Sequence, residues 1–398
     1  MANCKSCPTC PTGCATDEDA SFRVSPDYER FSQKRDVFCR SHWDPEVRSD
    51  KTERFYESYR RPLKQWRRVD GYAQKDFALR NAGWHVADLF AERLEGEDRR
   101  EGFLDYLTAH RGGAPEQREV TSPDEMAKEI KKAAKLFGAD LVGITYYDER
   151  WVYSHKYSRA AENETPVDLE EGLTSVVVVC HEMDHDLLKT VPSALSGTAT
   201  GVGYSKDVVT LLALAQYIRN LGYRAYASMN DTASSIPYAI KAGLGEYGRH
   251  GLLIAPGIGP RLRIGKIFTD LPLAHDRPIR FGVKEFCQVC RKCSDGCPPK
   301  AIAQGDPSDE THNVSNVVGI EKWTTDAEKC FGFWATQMTD CSICIRVCPY
   351  NRNYPAWLNR LRFTLMGTFL RRVMLRLDSL LGGGQRTAPK LWWNRLKS

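Results

Sequence analysis

The 398-residue sequence has no run of about 18 consecutive apolar residues, so we expect no helix that crosses a membrane. It also has no Walker loop, and no glycine-rich G-x-G-x-x-G turn between a strand and a helix with an acidic residue further on. These absences argue against the usual nucleotide and dinucleotide sites. No stretch interleaves aromatic and basic residues in the manner of a nucleic-acid module, and we expect no nucleic-acid partner.

The N-terminus lacks the features of an export signal. Met1-Ala2-Asn3-Cys4 contains no positively charged region that leads into an apolar stretch, and no twin-arginine pair. From this we expect a cytoplasmic protein. Cysteines that serve as cofactor ligands fit this expectation, because thiols persist best in a reducing compartment.

What the sequence does contain is cysteine, with 14 residues in all. Eight of them form two runs that each end in a cysteine followed by proline. The runs are Cys287-x2-Cys290-x2-Cys293-x3-Cys297-Pro298 and Cys330-x10-Cys341-x2-Cys344-x3-Cys348-Pro349. In such runs three thiolates bind one [4Fe–4S] cluster and the fourth crosses to the neighbouring cluster. The spacing therefore predicts two [4Fe–4S] clusters and single-electron chemistry.

The crossing rule assigns four ligands to each cluster. Cluster A takes the A cysteines, which are Cys287, Cys290, Cys293 and Cys348. Cluster B takes the B cysteines, which are Cys297, Cys330, Cys341 and Cys344, with Cys330 in place of the usual closely spaced first ligand. Zinc sites and disulfides are the alternatives, but a zinc module uses two C-x2-C pairs rather than triple runs followed by proline.

The first fifteen residues repeat this spacing in a Cys-rich N-terminal arm, Cys4-x2-Cys7-x2-Cys10-x3-Cys14. No proline follows Cys14. The arm is compatible with a third iron–sulfur cluster, with a zinc ion and with disorder.

We divide the rest of the chain into four segments: an N-terminal unit of helices and loops (16–120), an α/β domain (121–280), a ferredoxin-like domain (281–352) and a basic amphipathic C-terminal segment (353–398). The α/β domain begins with a capping box, Ser122-Pro123-Asp124-Glu125, which predicts a helix as far as Phe137. Strands are expected at 141–146, 174–180, 224–228, 252–255 and 261–270, and a helix at 208–221, closed by Gly222. The strand at 174–180 is apolar enough to be buried on both faces. This alternation of helices and strands predicts an α/β fold.

The C-terminal segment combines positive charge with an apolar stripe. Residues 360–398 contain nine basic residues and one acid, Asp378, within a chain whose net charge is +5. Apolar residues from Leu358 to Leu381 recur at helical spacing, and three glycines end the predicted helix. We favour a helix docked on the protein itself. The alternative is an interfacial helix that contacts a membrane surface.

Glycine-rich stretches at 197–204, 243–251 and 256–260 flank the central strands. Glycine lets a backbone approach a large ligand closely, and we therefore take Gly243, Gly245 and Gly248 as candidate ligand-binding positions.

Several motifs, taken in order, resemble the corrinoid-dependent reductive dehalogenases. They are Trp151-Val-Tyr153-Ser-His155, Glu182-Met183-Asp184, Asn230-Asp231, Ala242-Gly-Leu-Gly245-Glu-Tyr-Gly248-Arg249, Phe268-Thr-Asp270-Leu-Pro-Leu, Glu285-Phe286-Cys287 and Cys348-Pro349-Tyr350-Asn351. The resemblance covers about residues 120–352. It implies an α+β, nitroreductase-like core that binds base-off cobalamin, the corrinoid to which Gly243, Gly245 and Gly248 would belong, beside two [4Fe–4S] clusters.

The resemblance further implies that a small organohalide is reduced with electrons from a donor such as ferredoxin or flavodoxin. By position, Tyr204 matches the family's proton donor, while Asn230 and Arg263 match the pair that holds its phenolate. A phenol has an ordinary pKa of about 10. An arginine and an amide near its oxygen would favour the phenolate that remains after proton transfer.

Respiratory members of the family carry a twin-arginine leader, which this sequence does not show. The nearest rival function is that of epoxyqueuosine reductase, a tRNA-modifying enzyme with the same cofactors. This chain is similar to it at Asp231-Thr232-Ala233, where an acid gives the proton. A third possibility is a non-catalytic electron carrier. Five aromatic residues are candidates for either a substrate pocket or the core: Tyr146, Tyr147, Trp151, Tyr153 and Tyr157.

Overall fold

The computed structural model describes residues 22–60, 67, 69–91, 106–159 and 161–395. The Cys4–Cys14 arm lies outside the described residues. The strands are β1 (Arg23–Val24), β2 (Leu141–Tyr146), β3 (His155–Ser158), β4 (Asn163–Pro166), β5 (Ser175–Glu182), β6 (Ala225–Ser228), β7 (Glu246–Tyr247), β8 (Leu253–Ile254), β9 (Leu262–Thr269) and β10 (Ile320–Glu321).

The helices are α1 (Val37–Trp43), α2 (Asp50–Arg60), α3 (Gln74–Ala91), α4 (Pro123–Leu136), α5 (His185–Leu188), α6 (Gly197–Asn220), α7 (Ser235–Lys241), α8 (Val283–Val289), α9 (Lys292–Asp295), α10 (Ala327–Gln337), α11 (Ile343–Val347), α12 (Ala356–Met366), α13 (Arg371–Leu380) and α14 (Pro389–Arg395). Short 3-10 helices cover Gln33–Arg35 and Glu149–Trp151. Among the described residues, none of the helices has the length and apolar content needed to cross a membrane.

The centre of the fold is a four-stranded sheet with the order β2-β5-β9-β6, in which every neighbouring pair is antiparallel. Strand β5 is buried on both faces, as predicted. Its Val177 and Val179 pack in a core with α4 and α6, whereas Val176 and Val178 pack in a second core on the side of α7. The fold is therefore of the mixed α+β kind, with helices on both sides of an antiparallel sheet.

The capping box at the start of α4 is confirmed. Ser122 adopts an extended conformation, its Oγ accepts a hydrogen bond from the backbone N–H of Glu125 at 3.3 Å, and Pro123 occupies the first helical position. Serine satisfies one of the otherwise unpaired N–H groups at the helix start, which fixes where α4 begins.

The prediction that the second long helix starts at residue 208 is wrong, because α6 begins at Gly197. The first glycine-rich stretch is therefore helical. Its glycines allow close packing between elements: a Cβ at Gly201 would lie 2.4 Å from Cδ1 of Trp84 in α3. The helix ends near Gly222, whose φ of +86° suits a residue without a Cβ.

The prediction of a single C-terminal helix is also wrong. The structure has two helices there, α12 and α13, with a break at Gly367–Leu370. They pack on the cysteine-rich segment through Phe363, Met366 and Met374. Asp378, the one acid of this segment, is buried between Arg352 and Lys292, with N–O distances of 2.8 and 2.6 Å. Burial alone would raise the pKa of Asp378, but the hydrogen bonds from Arg352 and Lys292 hold it below its ordinary value.

Candidate functional site

A cavity of about 600 Å³ lies where three parts of the chain meet. Its walls come from the helices α1 to α3, from the region around α6 and β9, and from the cysteine-rich segment 297–345. This volume is in the range of small-molecule and cofactor pockets, which bury most of their ligand. The residues that carry chemistry are therefore best located by their positions around this cavity.

Tyr204 and Arg263 meet on the cavity wall. Tyr204 is inside α6, Arg263 is on β9, and Arg263 Nη1 donates to Tyr204 Oη at 3.2 Å. The guanidinium also lies 5.1 Å from the centre of the tyrosine ring, and Trp84 packs on that ring at 4.9 Å. Burial raises the pKa of Tyr204, and the positive charge of Arg263 opposes that rise. The phenol is thus protonated at neutral pH and has a cation ready to stabilise its anion.

A glycine of α6 makes room for this pair. A Cβ at Gly203 would lie 2.6 Å from Arg263 Cγ, well inside ordinary contact. Arg263 Nε donates to the carbonyl of Leu262 at 3.0 Å, which leaves Nη1 directed at the phenol. The glycine-rich stretch 197–204 therefore lets β9 pack closely on α6.

Asn230 and Asp231 line the same cavity at the turn that follows β6. The carbonyl of Asn230 accepts from Ser235 Oγ at 3.1 Å. Lys266 Nζ, which is buried behind them, donates to the carbonyl of Asp231 at 2.6 Å. Burial raises the pKa of Asp231 to about 7, and the negative charge of Asp36 adds to the rise. A carboxyl of this kind can exchange a proton near neutral pH.

Sequence analysis missed a buried pair behind Tyr204. His181 Nδ1 lies 2.5 Å from Asp207 Oδ1, and both side chains are fully buried. Thr210 Oγ1 uses its hydrogen to donate to the carbonyl of Phe137 at 2.9 Å, so it must accept from His181 Nε2, also at 2.9 Å. His181 therefore carries a proton on Nε2, and one further proton is shared between Nδ1 and Asp207. Both ring nitrogens of His181 are therefore hydrogen-bonded within the protein.

The eight cysteines of the two runs divide between two cavities. The A cysteines surround a small cavity beside Tyr350, whereas the B cysteines lie on the wall of the large cavity. This division is the same as the ligand assignment from the crossing rule, and the assignment itself stays a prediction. None of the eight forms a disulfide.

Arg249 fixes the end of α8, which carries the first two A cysteines. Its side chain is buried and donates to the carbonyl of Cys287 at 2.8 Å and to the carbonyl of Cys290 at 3.2 Å. Burial raises the pKa of Cys330 and of Cys341 to about 12, so these thiols hold their protons unless a metal replaces them. Buried, prealigned thiols are well suited to iron.

A single-ion site is not supported in the described part of the chain. There, no group of three or more His, Cys, Asp or Glu side chains comes close enough to hold one metal ion. Zinc sites use such a tight tetrahedral set.

The large cavity also has the features of a site for a large cofactor that combines a broad ring with polar side groups. Apolar and aromatic side chains dominate its wall, and His250 Nε2, on that wall, has no hydrogen bond among the described residues. Burial lowers the pKa of His250 to about 4, so the ring is neutral. A buried polar atom without a partner is costly, and an amide-bearing ligand would satisfy it. The residues present therefore fit a corrinoid.

The three candidate corrinoid glycines do not reach this cavity. A Cβ at Gly243 would lie 2.5 Å from the carbonyl of Arg277, and one at Gly245 would lie 2.2 Å from the carbonyl of Ile254. Gly248 packs against the side chains of His250 and Ile254 in the same way. Gly243 thus allows close packing on the segment of Arg277, whereas Gly245 and Gly248 allow close packing within the β7–β8 hairpin. The cavity is lined instead by His250, Gly251 and Leu252.

The sequence left the five candidate aromatics open between a substrate pocket and the core. Trp151 and Tyr157 are buried in the core, and none of the five candidate aromatics lines the cavity. The aromatic lining comes instead from the N-terminal helices and the cysteine-rich segment: Phe38, Phe55, Tyr56, Tyr59, Trp84, Trp323, Phe333 and Trp334.

Comparison with known families gives two matches. The family model described as "Reductive dehalogenase subunit" matches residues 169–273, and the model described as "4Fe-4S double cluster binding domain" matches residues 286–351. The first match contains Tyr204, Asn230 and Arg263. The second contains all eight cysteines of the two runs.

Curated relatives agree with these models. A tetrachloroethene reductive dehalogenase of Desulfitobacterium hafniense is 39% identical over 60% of this chain and 50% of its own length. That of Sulfurospirillum multivorans is 29% identical over 94% of this chain and 84% of its own length. An epoxyqueuosine reductase of Leadbetterella byssophila is 27% identical over 57% of this chain.

Solved structures show the same likeness. The catabolic reductive dehalogenase NpRdhA, as a tagged variant, superposes with a TM-score of 0.74 at 25% identity, over 95% of this chain and 50% of that one. A structure described as "Reductive dehalogenase structure suggests a mechanism for B12-dependent dehalogenation" gives the same score and identity over 94% and 49%. The chain spans about half the length of these solved chains and of the Desulfitobacterium relative.

Proposed function

We propose that this chain belongs to the reductive dehalogenase family and that it replaces a carbon-bound halogen with hydrogen, using electrons that pass through two [4Fe–4S] clusters to cobalamin. The observation that carries this proposal is that a protonated phenol paired with a cation, Tyr204 with Arg263, shares one cavity with the B cysteines. A proton source and an electron source thus face the same space.

The overall reaction takes up two electrons and one proton, and it converts R–X to R–H and a halide ion. When bound, cobalamin would supply the reduced cobalt at which the carbon–halogen bond is cleaved. His250 and the aromatic wall would hold the corrinoid, and the B cysteines would hold a cluster.

The residues of the chain provide the proton. Tyr204 Oη gives its hydrogen to the substrate carbon, and Arg263, at 3.2 Å, stabilises the phenolate that remains. Asn230 offers an amide donor from the turn after β6. Asp207, which pairs with His181, lies one helical turn from Tyr204. In the proposed mechanism this pair has a structural role only.

The proposed substrate class is a small organohalide, since the cavity wall is largely apolar and aromatic. The wall also carries Arg159 and Asn230 as polar groups. A relative of this fold is described in complex with 3-bromo-4-hydroxybenzoic acid, and tetrachloroethene is named for the reductive dehalogenases of Desulfitobacterium hafniense and Sulfurospirillum multivorans. We further propose ferredoxin or flavodoxin as the donor and a cytoplasmic location, where cysteine ligands stay reduced.

One observation favours a second candidate, epoxyqueuosine reduction. Asp231 faces the same cavity with a pKa of about 7, and an acid at this position would serve as the proton donor of that reaction. The large cavity itself argues against a non-catalytic electron carrier, which needs no such space.

Halide release from tetrachloroethene and from a bromophenol, with reduced methyl viologen as the donor, tests the proposal on protein reconstituted with iron, sulfide and cobalamin. Tyr204→Phe should abolish turnover. Tyr217→Phe, on the same helix but paired with Glu129 at the surface, is the matched control and should keep it. If Asp231→Asn abolishes turnover and Tyr204→Phe does not, the dehalogenase mechanism is wrong.

A further inference from the structure

The A cysteines lie directly beneath the C-terminal helices. Cys287, Cys290 and Cys348 belong to the same core as Phe363 and Met366 of α12, and Met374 of α13 packs against it. Lys292, between Cys290 and Cys293 in sequence, forms an ion pair with Asp378 of α13 at 2.6 Å. Helix α13 therefore forms a roof over the site of cluster A.

The outer side of this roof has an unusual surface. We call it the arginine face, made up of Phe369, Arg372, Val373, Arg376, Leu377 and Leu380. Phe369 is 87% exposed and Leu380 is 82% exposed, and both arginines are exposed too. Residues four apart share a side of a helix, so Arg372 and Arg376 form a stripe next to Val373 and Leu377. Exposed apolar residues in contiguous patches of this kind mark interaction sites.

The face carries positive charge without exposed acid. Across residues 353–395 the sequence has one acidic residue, Asp378, and it is buried and paired. Arg371, beside the face, also borders a groove of about 1100 Å³ whose wall carries more basic than acidic side chains: Arg23, Arg280, Lys284 and Arg371 against Glu246 and Glu285. A partner that is steered to this surface must therefore be acidic.

We propose that the arginine face is the docking surface for a small acidic electron-transfer protein, which reduces cluster A by one electron through α13. This inference rests on the proposed function, since it needs the A cysteines to hold a cluster. The donor loses one electron, the cluster gains it, and no bond is made or broken.

Three features select this occupant. A helix with its side chains is about 10–12 Å across, so a protein on the outer side of α13 lies about one helix diameter from the A cysteines. An apolar centre with a charged rim is the usual anatomy of a protein interface, and transient redox complexes are small enough for one helix pair to serve. A lipid surface gains nothing from a position above a redox centre, whereas an electron donor requires it.

The test follows cluster reduction itself, so it does not depend on dehalogenation. Reduced flavodoxin or ferredoxin is mixed anaerobically with the cluster-loaded full-length chain, and bleaching of the visible cluster absorbance is timed at several ionic strengths. We expect the second-order rate to fall with salt in the wild type. The double variant Arg372→Glu, Arg376→Glu should lose about tenfold or more of that rate, together with its salt dependence.

Two controls separate docking from damage. Reduced methyl viologen, a small cation that needs no docking site, should bleach the double variant and the wild type equally fast. The variant Lys132→Glu, Lys135→Glu makes the same charge change on exposed positions of α4, away from the cysteines, and should keep the flavodoxin rate. Leu377→Asp tests the apolar centre and should slow the flavodoxin reaction alone.

Unchanged flavodoxin and ferredoxin rates in the double variant would overturn the inference, as would failure of both donors to reduce wild-type clusters. Binding to anionic vesicles that the double variant loses, with unchanged donor rates, would assign the face to a lipid surface and overturn it as well. Failure of halide release with normal donor kinetics would instead refute the proposed function and leave the docking surface in place.

Discussion

Gly203→Ala is the most specific perturbation of the proposed proton donor, because it changes neither Tyr204 nor Arg263. The added methyl group would lie 2.6 Å from Arg263 Cγ and 3.6 Å from Met183 Cγ, whereas ordinary contact begins near 3.4 Å. Since β9 is held on both edges by other strands, the arginine side chain has to move. That motion takes Nη1 away from the phenol.

The magnitude follows from two offsetting effects on stability and one effect on the site. Replacing a helical glycine by alanine gains about 1 kcal/mol of unfolding free energy. Overpacking costs about 1–3 kcal/mol, so the net change in unfolding free energy should stay within about 2 kcal/mol. A misplacement of about 1 Å in a catalytic group can cost about 10²-fold in rate. We therefore expect a folded enzyme with kcat about 100-fold lower and a similar KM.

Gly332→Ala is the matched control, because Gly332 is also helical and a Cβ there meets nothing within 4 Å. It should gain the same helical stability and keep full kcat. Steady-state halide release with reduced methyl viologen measures both variants, and cofactor content is checked by absorbance. Wild-type kcat in Gly203→Ala, or an equal loss in Gly332→Ala, would refute the positioning argument.

Three further predictions concern the clusters, the phenolate and the C-terminal roof. Cys330→Ala should reduce bound iron by one cluster, whereas Cys180→Ala, which removes a buried thiol outside both runs, should keep iron content in a colorimetric assay. Arg263→Gln should lower kcat about 10²-fold and move the alkaline limb of the pH–rate profile upward, because the cation that lowers the pKa of Tyr204 is lost; an unmoved limb would contradict this. Asp378→Asn should cost about 3–5 kcal/mol in urea unfolding at pH 7, because it leaves buried cations unpaired. The pKa of Asp378 in the folded protein is below its unfolded value, so the stabilisation exists above about pH 4 and is lost as the pH falls. The difference in unfolding free energy between Asp378→Asn and the wild type should therefore shrink at low pH. A difference that stays constant with pH would contradict this prediction.

Local signals in the sequence predicted the local structure well. The Ser122 capping box specified the start of α4, and the apolar run of β5 specified a strand buried on both faces, because both depend on neighbours in the chain. The antiparallel pairing of the central strands had no such local signal, because the direction of strand pairing depends on long-range connections. Periodicity also placed the start of α6 too late, because its first turns are rich in glycine and small residues whose partner, Trp84, is distant in sequence.

The candidate site was predictable only in part. The resemblance placed Tyr204 and Arg263 together, and the structure finds their side chains 3.2 Å apart. Neither the aromatic wall nor the pair of His181 with Asp207 carried a local signal, since these contacts join segments far apart in the chain. The three candidate corrinoid glycines pack closely on neighbouring atoms, and no local signal shows what lies opposite a glycine.

The central claim is that one chain holds two [4Fe–4S] clusters and a corrinoid in electronic contact. EPR spectra of anaerobically reconstituted protein, freed of unbound cobalamin by gel filtration and then partly reduced, test it most directly. The account predicts signals of Co(II) cobalamin and of reduced [4Fe–4S] clusters in the same protein fraction. Cluster signals in a fraction without cobalamin would contradict the account and leave an electron carrier.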